Sequence, residues 1–302
     1  MGDIKSYLKL HFVVLIWGFT AILGLLITLP AVELVFYRTL FAAIGLGILL
    51  YFRKRNFKIG WGEILKIVGT GVLISAHWIL FFASARVSNA SVALAGIATC
   101  SFWTSFLEPL MTKRKIKGFE VLLGVVVVLG LYVIFRFEFT HAVGLSMAIV
   151  SALLASLFTV INSQFTQRHN PYMITFYEMG GAFITTAVFL PFYALFFTEG
   201  QLQLQPTTMD WVWIIILAIV CTVYAYSLSV ELMQKISAFM VNLTVNMEPV
   251  YGIILAVLIF GESEEMQGGF YLGTLIILLS VIAHPFLDKW HYRKQISKAE
   301  VL

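Results

Sequence analysis

Residues 32–52 read VELVFYRTLFAAIGLGILLYF, an apolar run long enough to cross a bilayer with Arg38 inside it. A charge at the centre of a membrane helix costs about 2.5 to 3.5 kcal/mol on insertion scales, so such a residue faces a cavity or a partner rather than lipid. The triplet Phe36-Tyr37-Arg38 has an echo in Phe176-Tyr177-Glu178, 140 residues later and again inside an apolar span. A cation and a carboxylate therefore hold matching positions in two similar halves. They are the first candidates for contact with a substrate.

Composition fixes the class. With 60% hydrophobic residues, 12% charged residues and a mean hydropathy of +0.92 over 302 residues, the chain cannot clothe its apolar surface in polar groups as a water-soluble globule must. It reads as an integral membrane protein. The net charge of +4 does not point to nucleic acid, because the basic residues sit in short loops between apolar spans and not on a soluble face. Cys100 and Cys221 both fall inside spans and suggest neither a disulfide framework nor a metal site. Residues 8–29 exceed a signal-peptide core and read as the first membrane helix. The opening Met1-Gly2-Asp3-Ile4-Lys5-Ser6 fits a loose myristoylation pattern, read as coincidence.

Ten runs approach the ~20 residues that span a bilayer: 8–29, 32–52, 64–85, 91–112, 119–135, 142–165, 172–197, 211–232, 238–260 and 270–287. If the N-terminus is cytoplasmic, all Lys and Arg except Arg38, Arg86 and Arg136 fall on the cytoplasmic side, seventeen of twenty. That side includes Arg53, Lys54, Arg55, Lys58, and the cluster from Lys113 to Lys117. The bias predicts both termini cytoplasmic, in the inner membrane. Acidic Glu262, Glu264 and Glu265 fall outside and carry little orientation information.

The first two helices match the sixth and seventh at an offset of 140, and the next three match at about 149, aligning Arg86-Val87-Ser88 with Lys235-Ile236-Ser237 and Gly124 with Gly273. An odd number of helices per unit makes the second unit start on the opposite face. The expected fold is thus all-α, ten transmembrane helices as two inverted five-helix repeats, residues 1–137 and 138–302, the plan of many secondary transporters. The GxxxG pair Gly269 and Gly273 reads first as internal packing and second as a dimer contact.

Other polar residues inside spans extend the candidate site. His77 is either a proton relay or a neutral hydrogen-bond donor between helices, and Trp78 follows it. Ser101, Thr104, Ser105 and Glu108 make one stripe with Trp103 well off it; Glu108 reads as paired to the basic cluster nearby. Ser156, Thr159, Ser163 and Thr166 read as packing residues, with Asn162 beside them a candidate pore residue. Tyr224, Ser227 and Glu231 align at i, i+3, i+7. On the ninth span Asn242 and Asn246 are one turn apart, Glu248 points nearly opposite to Asn246, and Pro249 deprives a carbonyl of its donor, which predicts a broken helix beside a cavity. The asparagines are assigned to substrate, and Glu248 to gating or helix packing.

Ten spans in two repeats, Trp17-Gly18, Arg38 followed by Ala42, and Asn246-Met247-Glu248-Pro249 running to Gly261-Glu262 resemble the EamA branch of the drug/metabolite transporter superfamily across essentially the whole chain. The resemblance implies a central cavity walled by helices one to four and six to nine, with five and ten peripheral. It also implies export or exchange of small metabolites, often amino acids, and no cofactor. Cys100 and Lys113 stand where the first repeat of the family commonly keeps Pro and Glu.

The expected function is a secondary transporter for a small polar or zwitterionic metabolite, such as an amino acid, working by alternating access. Substrate contact is assigned to Arg38, Glu178, His77, Trp78, Trp103, Asn162, Tyr224, Asn242 and Asn246, and gating or coupling to Glu248, Pro249 and Trp17. Glu178 would attract an amine or carry a coupling proton; the alternative is that Arg38 and Glu178 pair and lock one conformation. A flippase for a lipid-linked or cationic amine substrate is the second reading and a passive channel the third. No HExxH, GxSxG or P-loop motif suggests an enzyme. The partners expected are a small-molecule substrate, protons and the lipid bilayer, with no nucleic acid, in a monomer or weak homodimer.

Overall fold

The computed structural model describes residues 4–54, 59–137, 141–261 and 268–299. The start of the myristoylation pattern, Arg55, Lys58, Glu262, Glu264, Glu265 and the boundary after residue 137 lie outside the described residues. Among the described residues there are helices and no strands. They are α1 (Ile4–Gly18), α2 (Thr20–Leu26), α3 (Ala31–Phe52), α4 (Trp61–Val87), α5 (Ala90–Ile97), α6 (Cys100–Thr112), α7 (Gly118–Phe137) and α8 (Ala142–Phe165). The chain continues through α9 (Pro171–Phe197), α10 (Thr208–Ala218), a π-helix (Ile219–Tyr224), α11 (Ala225–Leu232), α12 (Ala238–Val245), α13 (Glu248–Phe260) and α14 (Gly268–Ala299).

Taken through their breaks, these segments include eight stretches long and apolar enough to cross a membrane, from Ile4–Leu26 to Ala238–Ile259. Two shorter apolar helical segments, Gly118–Val127 and Tyr271–Ser280, belong to α7 and α14. Residues such as Leu110, Leu195, Phe196 and Leu258 stand almost fully exposed on the outside, where a bilayer and not water can cover them.

Helices α4, α8 and α9 pack together, α3 lies on α9, and α14 packs chiefly on α7, which rests on α6. The α7–α14 contact uses Gly273, whose carbonyl oxygen lies only 2.8 Å from where a side chain on Gly130 would begin. Half of the GxxxG pair is therefore engaged inside the chain. Helices α3 and α9 run antiparallel, since Arg53 at the end of α3 reaches over Tyr172 at the start of α9.

The closest crossing joins α4 and α9. A Cβ on Gly71 would fall 2.4 Å from the Ala182 nitrogen, and one on Gly181 would fall 2.2 Å from the Val68 carbonyl oxygen. Only backbone meets backbone there, so neither neighbour can yield by changing a rotamer. Gly180, next in sequence, has open space around it. We expect Gly181→Ala to cost about 1–3 kcal/mol through overpacking and to lower the melting temperature of the purified protein. Gly180→Ala, which adds helix propensity without a clash, should leave it unchanged or slightly higher.

Candidate functional site

Three of the long spans are not continuous helices. The first pauses at Phe19 between α1 and α2, the fourth at Ala98 and Thr99 between α5 and α6, and the ninth at Asn246 and Met247 between α12 and α13. Pro249 sits in the first turn of α13, where its missing N–H costs nothing. The fourth span breaks 148 residues earlier, before Cys100 as the ninth breaks before Glu248, and without a proline there, so a proline is not required for the break. The eighth span holds the π-helix instead. Irregular backbone at membrane depth is tolerated only where protein or a cavity satisfies it.

These irregularities surround an interior cavity. Its wall is aromatic: Trp17, Trp78, Phe81, Phe158 and Tyr226 line it, and Phe158 and Trp78 meet Tyr226 edge-on with centroids 6.1 and 6.3 Å apart. Arg38, His77, Asn242 and Glu248 supply its polar groups.

Arg38 is buried about 10 Å along α3 at 1.5 Å per residue. Its Nε–H donates to Thr222 Oγ1 at 2.9 Å, and its guanidinium carbon lies 3.6 Å above the centre of the Trp78 ring. That is a close cation–π contact. Thr222 in turn donates to the Leu217 carbonyl at 3.0 Å, a bond from i to i−5 that the π-helix makes possible. The Trp17 indole N–H donates to the Cys221 carbonyl at 3.1 Å. The π-helix thus carries both Arg38's partner and Trp17's. Glu248 interacts electrostatically with Arg38 across the cavity, and among the described residues the two form no ion pair. The remaining four N–H donors of Arg38 have no hydrogen-bonded acceptor among the described residues.

Arg38 and Glu178, both assigned to substrate, do not share the cavity, and the alternative pairing of the two with each other does not occur. Both stand seven residues from the start of their helices, but α3 and α9 are antiparallel, so equal positions fall at different depths. Phe36 packs on Phe183 at 5.3 Å, and a side chain on Gly47 would touch Phe176. Arg38 is therefore level with residues near 181–185, about 5–10 Å along the axis from Glu178. Glu178 is fully buried behind the cavity wall, where it accepts from Thr70 Oγ1 at 2.9 Å and from Tyr226 Oη at 3.1 Å. Asn162 lies behind the wall with it and donates to Tyr226 Oη at 2.9 Å.

The other predicted residues divide. His77 and Trp78 line the cavity, and His77 Nδ1 lies 2.9 Å from the Ser151 carbonyl, so Nδ1 carries the hydrogen and Nε2 is left for the cavity. Asn242 lines it while donating to Thr104 at 2.8 Å, and Glu248 lines it because the break before α13 turns it inward. Asn246 is fully buried and donates to Ser101 at 2.6 Å. With Phe239 N–H donating to Glu108 at 2.9 Å, the stripe of the fourth span is used to hold the ninth. Glu108 also pairs with Arg114 at 2.6 Å, as expected of it. Trp103 packs on Phe102 outside the cavity lining. Tyr224 is half exposed on the outer face against Phe12, because the π-helix shifts the register that the aligned stripe assumed. Tyr226, which the i, i+3, i+7 pattern passed over, takes the inward position. Thr222 was missed for the same reason; no local signal in the sequence marks a π-helix.

The cavity reaches Met233 and Val241, at the end that also carries Arg53 and Arg114. Beyond its other end, polar contacts tie the helix ends together in a seal. Asp210 accepts from the Thr28 amide and hydroxyl, both at 2.7 Å, and from the Thr207 amide and hydroxyl at 2.9 and 2.8 Å. Arg86 crosses beside it to donate to the Ile27 and Leu29 carbonyls. Among the described residues no cluster of three metal-binding side chains exists.

Broken helices around a cavity in an all-helical bundle with eight long apolar spans define a multi-pass membrane protein of the transporter kind. A model of the EamA-like transporter family matches residues 4–136 and again 142–283, and the chain belongs to that family. It is similar to two proteins of Archaeoglobus fulgidus, each named only as an uncharacterized transporter. One is 24% identical over 195 residues, covering 62% of this chain and 68% of that protein; the other is 25% identical over 154 residues, covering 51% and 52%. A solved crystal structure superposes with a TM-score of 0.69 at 14% identity, covering 94% of this chain and 98% of its own, and speaks for the fold alone.

Replacing Asp210 by Ala removes the acceptor of four hydrogen bonds from Thr28 and Thr207, each worth about 0.5–1.5 kcal/mol net. We expect Asp210→Ala to lower the melting temperature more than Asp210→Asn, which retains one acceptor oxygen. Equal losses would show that the seal does not depend on those bonds.

Proposed function

We propose that the chain is a secondary transporter moving a small polar or zwitterionic metabolite, of the amino-acid class, out of the cell by alternating access through this cavity. The observation that carries the reading is the pair of opposite charges at one aromatic cavity: Arg38, with free donors, and Glu248, inside a single wall. A carboxylate would answer the guanidinium and an ammonium would answer Glu248, with the aromatic rings covering the rest. Glu248 thus takes the amine-binding role first assigned to Glu178, and Trp17 and Pro249 remain with the breaks that would let the wall move.

The same proposal takes α7 and α14 as full spans, giving ten helices in two inverted repeats with a boundary near residue 137. It is supported by the double family match and by breaks 148 residues apart in the fourth and ninth spans. Both termini would be cytoplasmic, in the inner membrane, in a monomer or weak dimer. The basic ends of the loops support this orientation. On it, the cavity is reached from the cytoplasm, and the seal around Asp210 faces outside.

The test is thermal stabilisation of the purified protein across amino acids, amines, sugars, nucleosides, organic acids and lipids. A ligand that binds only the folded state adds about 2.7 kcal/mol at a hundred times its Kd. We expect amino acids to raise the melting temperature, with the effect lost in Arg38→Gln and weakened in Glu248→Gln. A response to amines or lipids alone would replace this reading with the flippase or amine carrier.

A further inference from the structure

Glu178 is used by nothing in the transport reading, yet it is a carboxyl set fully inside the bundle, with no cation paired to it among the described residues. We propose that Glu178, with Thr70, Tyr226 and Asn162, forms a proton-binding site that exchanges with the central cavity through the Tyr226 hydroxyl. It does not depend on which solute the cavity takes.

The argument is a count of hydrogens. Thr70 Oγ1 lies 2.6 Å from the Ile67 carbonyl oxygen and 2.9 Å from Glu178 Oε1. A hydroxyl has one hydrogen and cannot give it to both. When it goes to Ile67, the contact with Oε1 is a hydrogen bond only if the carboxyl supplies the hydrogen. When it turns to Oε1, it serves the ionised carboxylate, which Tyr226 already serves at Oε2. Rotation of one hydroxyl therefore re-pairs the site after a proton is gained or lost. Neither form leaves an oxygen of Glu178 bare, which matters because an unmet carboxylate at this depth is prohibitive.

Tyr226 supplies the exit. It lines the cavity, donates to Oε2, and is held by the Asn162 amide donating to Oη at 2.9 Å. For exit the carboxyl group rotates so that its protonated oxygen faces Oη and Thr70 turns its hydrogen to the other oxygen; Glu178 then passes the acid hydrogen to Oη as Tyr226 gives its own hydrogen to a water in the cavity. The phenol ends neutral, and one positive charge has moved from the carboxyl to the cavity.

The surrounding elements leave this route open. On α3, Arg38 acts on Tyr226 and is not in contact with Glu178. On α4, His77 faces the cavity two turns from Thr70, while Glu63 at the rim is paired with Lys66 and His169. On α11, Glu231 lines a separate polar recess beside Arg53 and Arg168, and α8 contributes the uncharged Asn162. On α9 itself, Tyr177 stacks edge-on against Phe176.

Infrared difference spectroscopy of the full-length protein in lipid, taken through a pH titration and after transfer to deuterated water, tests the site. We expect a buried carboxylic-acid carbonyl band that vanishes on alkalinisation, shifts on deuteration and is missing in Glu178→Gln. Should that variant fail to fold, Thr70→Val supplies the same assignment by moving the band, because it removes the partner of Oε1. Tyr226→Phe should slow the deuterium shift several-fold. A band that neither Glu178→Gln nor Thr70→Val alters, or no acid band at any pH, overturns the site. Exchange in Tyr226→Phe as fast as in the unaltered protein overturns the route.

Discussion

A guanidinium cannot rest in hydrocarbon, and the need to accommodate Arg38 governs much of this bundle. The side chain gives one hydrogen bond to the protein, at Thr222, and lies over two rings, Trp78 at 3.6 Å and Phe82 at 5.7 Å. Everything else it requires must come from whatever fills the cavity. The π-helix shapes the same site: Thr222 donates its hydroxyl to the Leu217 carbonyl, five residues back, while accepting from Arg38. Had Arg38 been met by a contacting carboxylate, the cavity would be electrically closed. Glu248 stands off from it, and the space between them is what a ligand of both charges would occupy.

The eight long spans and the burial of Arg38 inside one of them were legible in the sequence because each rests on local composition. The break at Asn246 and Met247 was legible through Pro249. Its counterpart at Ala98 and Thr99 was not, since nothing there forbids a helix, and the pause is held by packing against neighbouring segments. The pairing of Arg38 with Glu178 failed for a geometric reason. Equal places in two similar halves are not equal depths once the helices that carry them run in opposite directions. Tyr224 and Tyr226 changed places because one wide turn shifts the helical phase, and a stripe read at i, i+3, i+7 presumes that no such turn exists.

The polar residues also show how a membrane interior divides its labour. The hydroxyls of Ser101 and Thr104 and the amides of Asn242 and Asn246 look alike in sequence, as candidates for binding. In the folded chain most of that chemistry is spent holding the fourth span to the ninth. Only Asn242 does both. A polar side chain in a span is therefore as much a fastening as a lining, and its place on the stripe does not say which.

The crossing of α4 and α9 sets a limit on how such a bundle moves. Where backbone lies on backbone, at Gly71 and Gly181, there is no layer of side chains to change rotamers and let one helix slide over the other. These two helices carry Thr70 and Glu178 and form one wall-bearing unit. Any rocking of the bundle must carry them as a single rigid body. In the proposed alternating-access cycle the displacement would fall to the segments already interrupted, α1 with α2, α5 with α6, and α12 with α13.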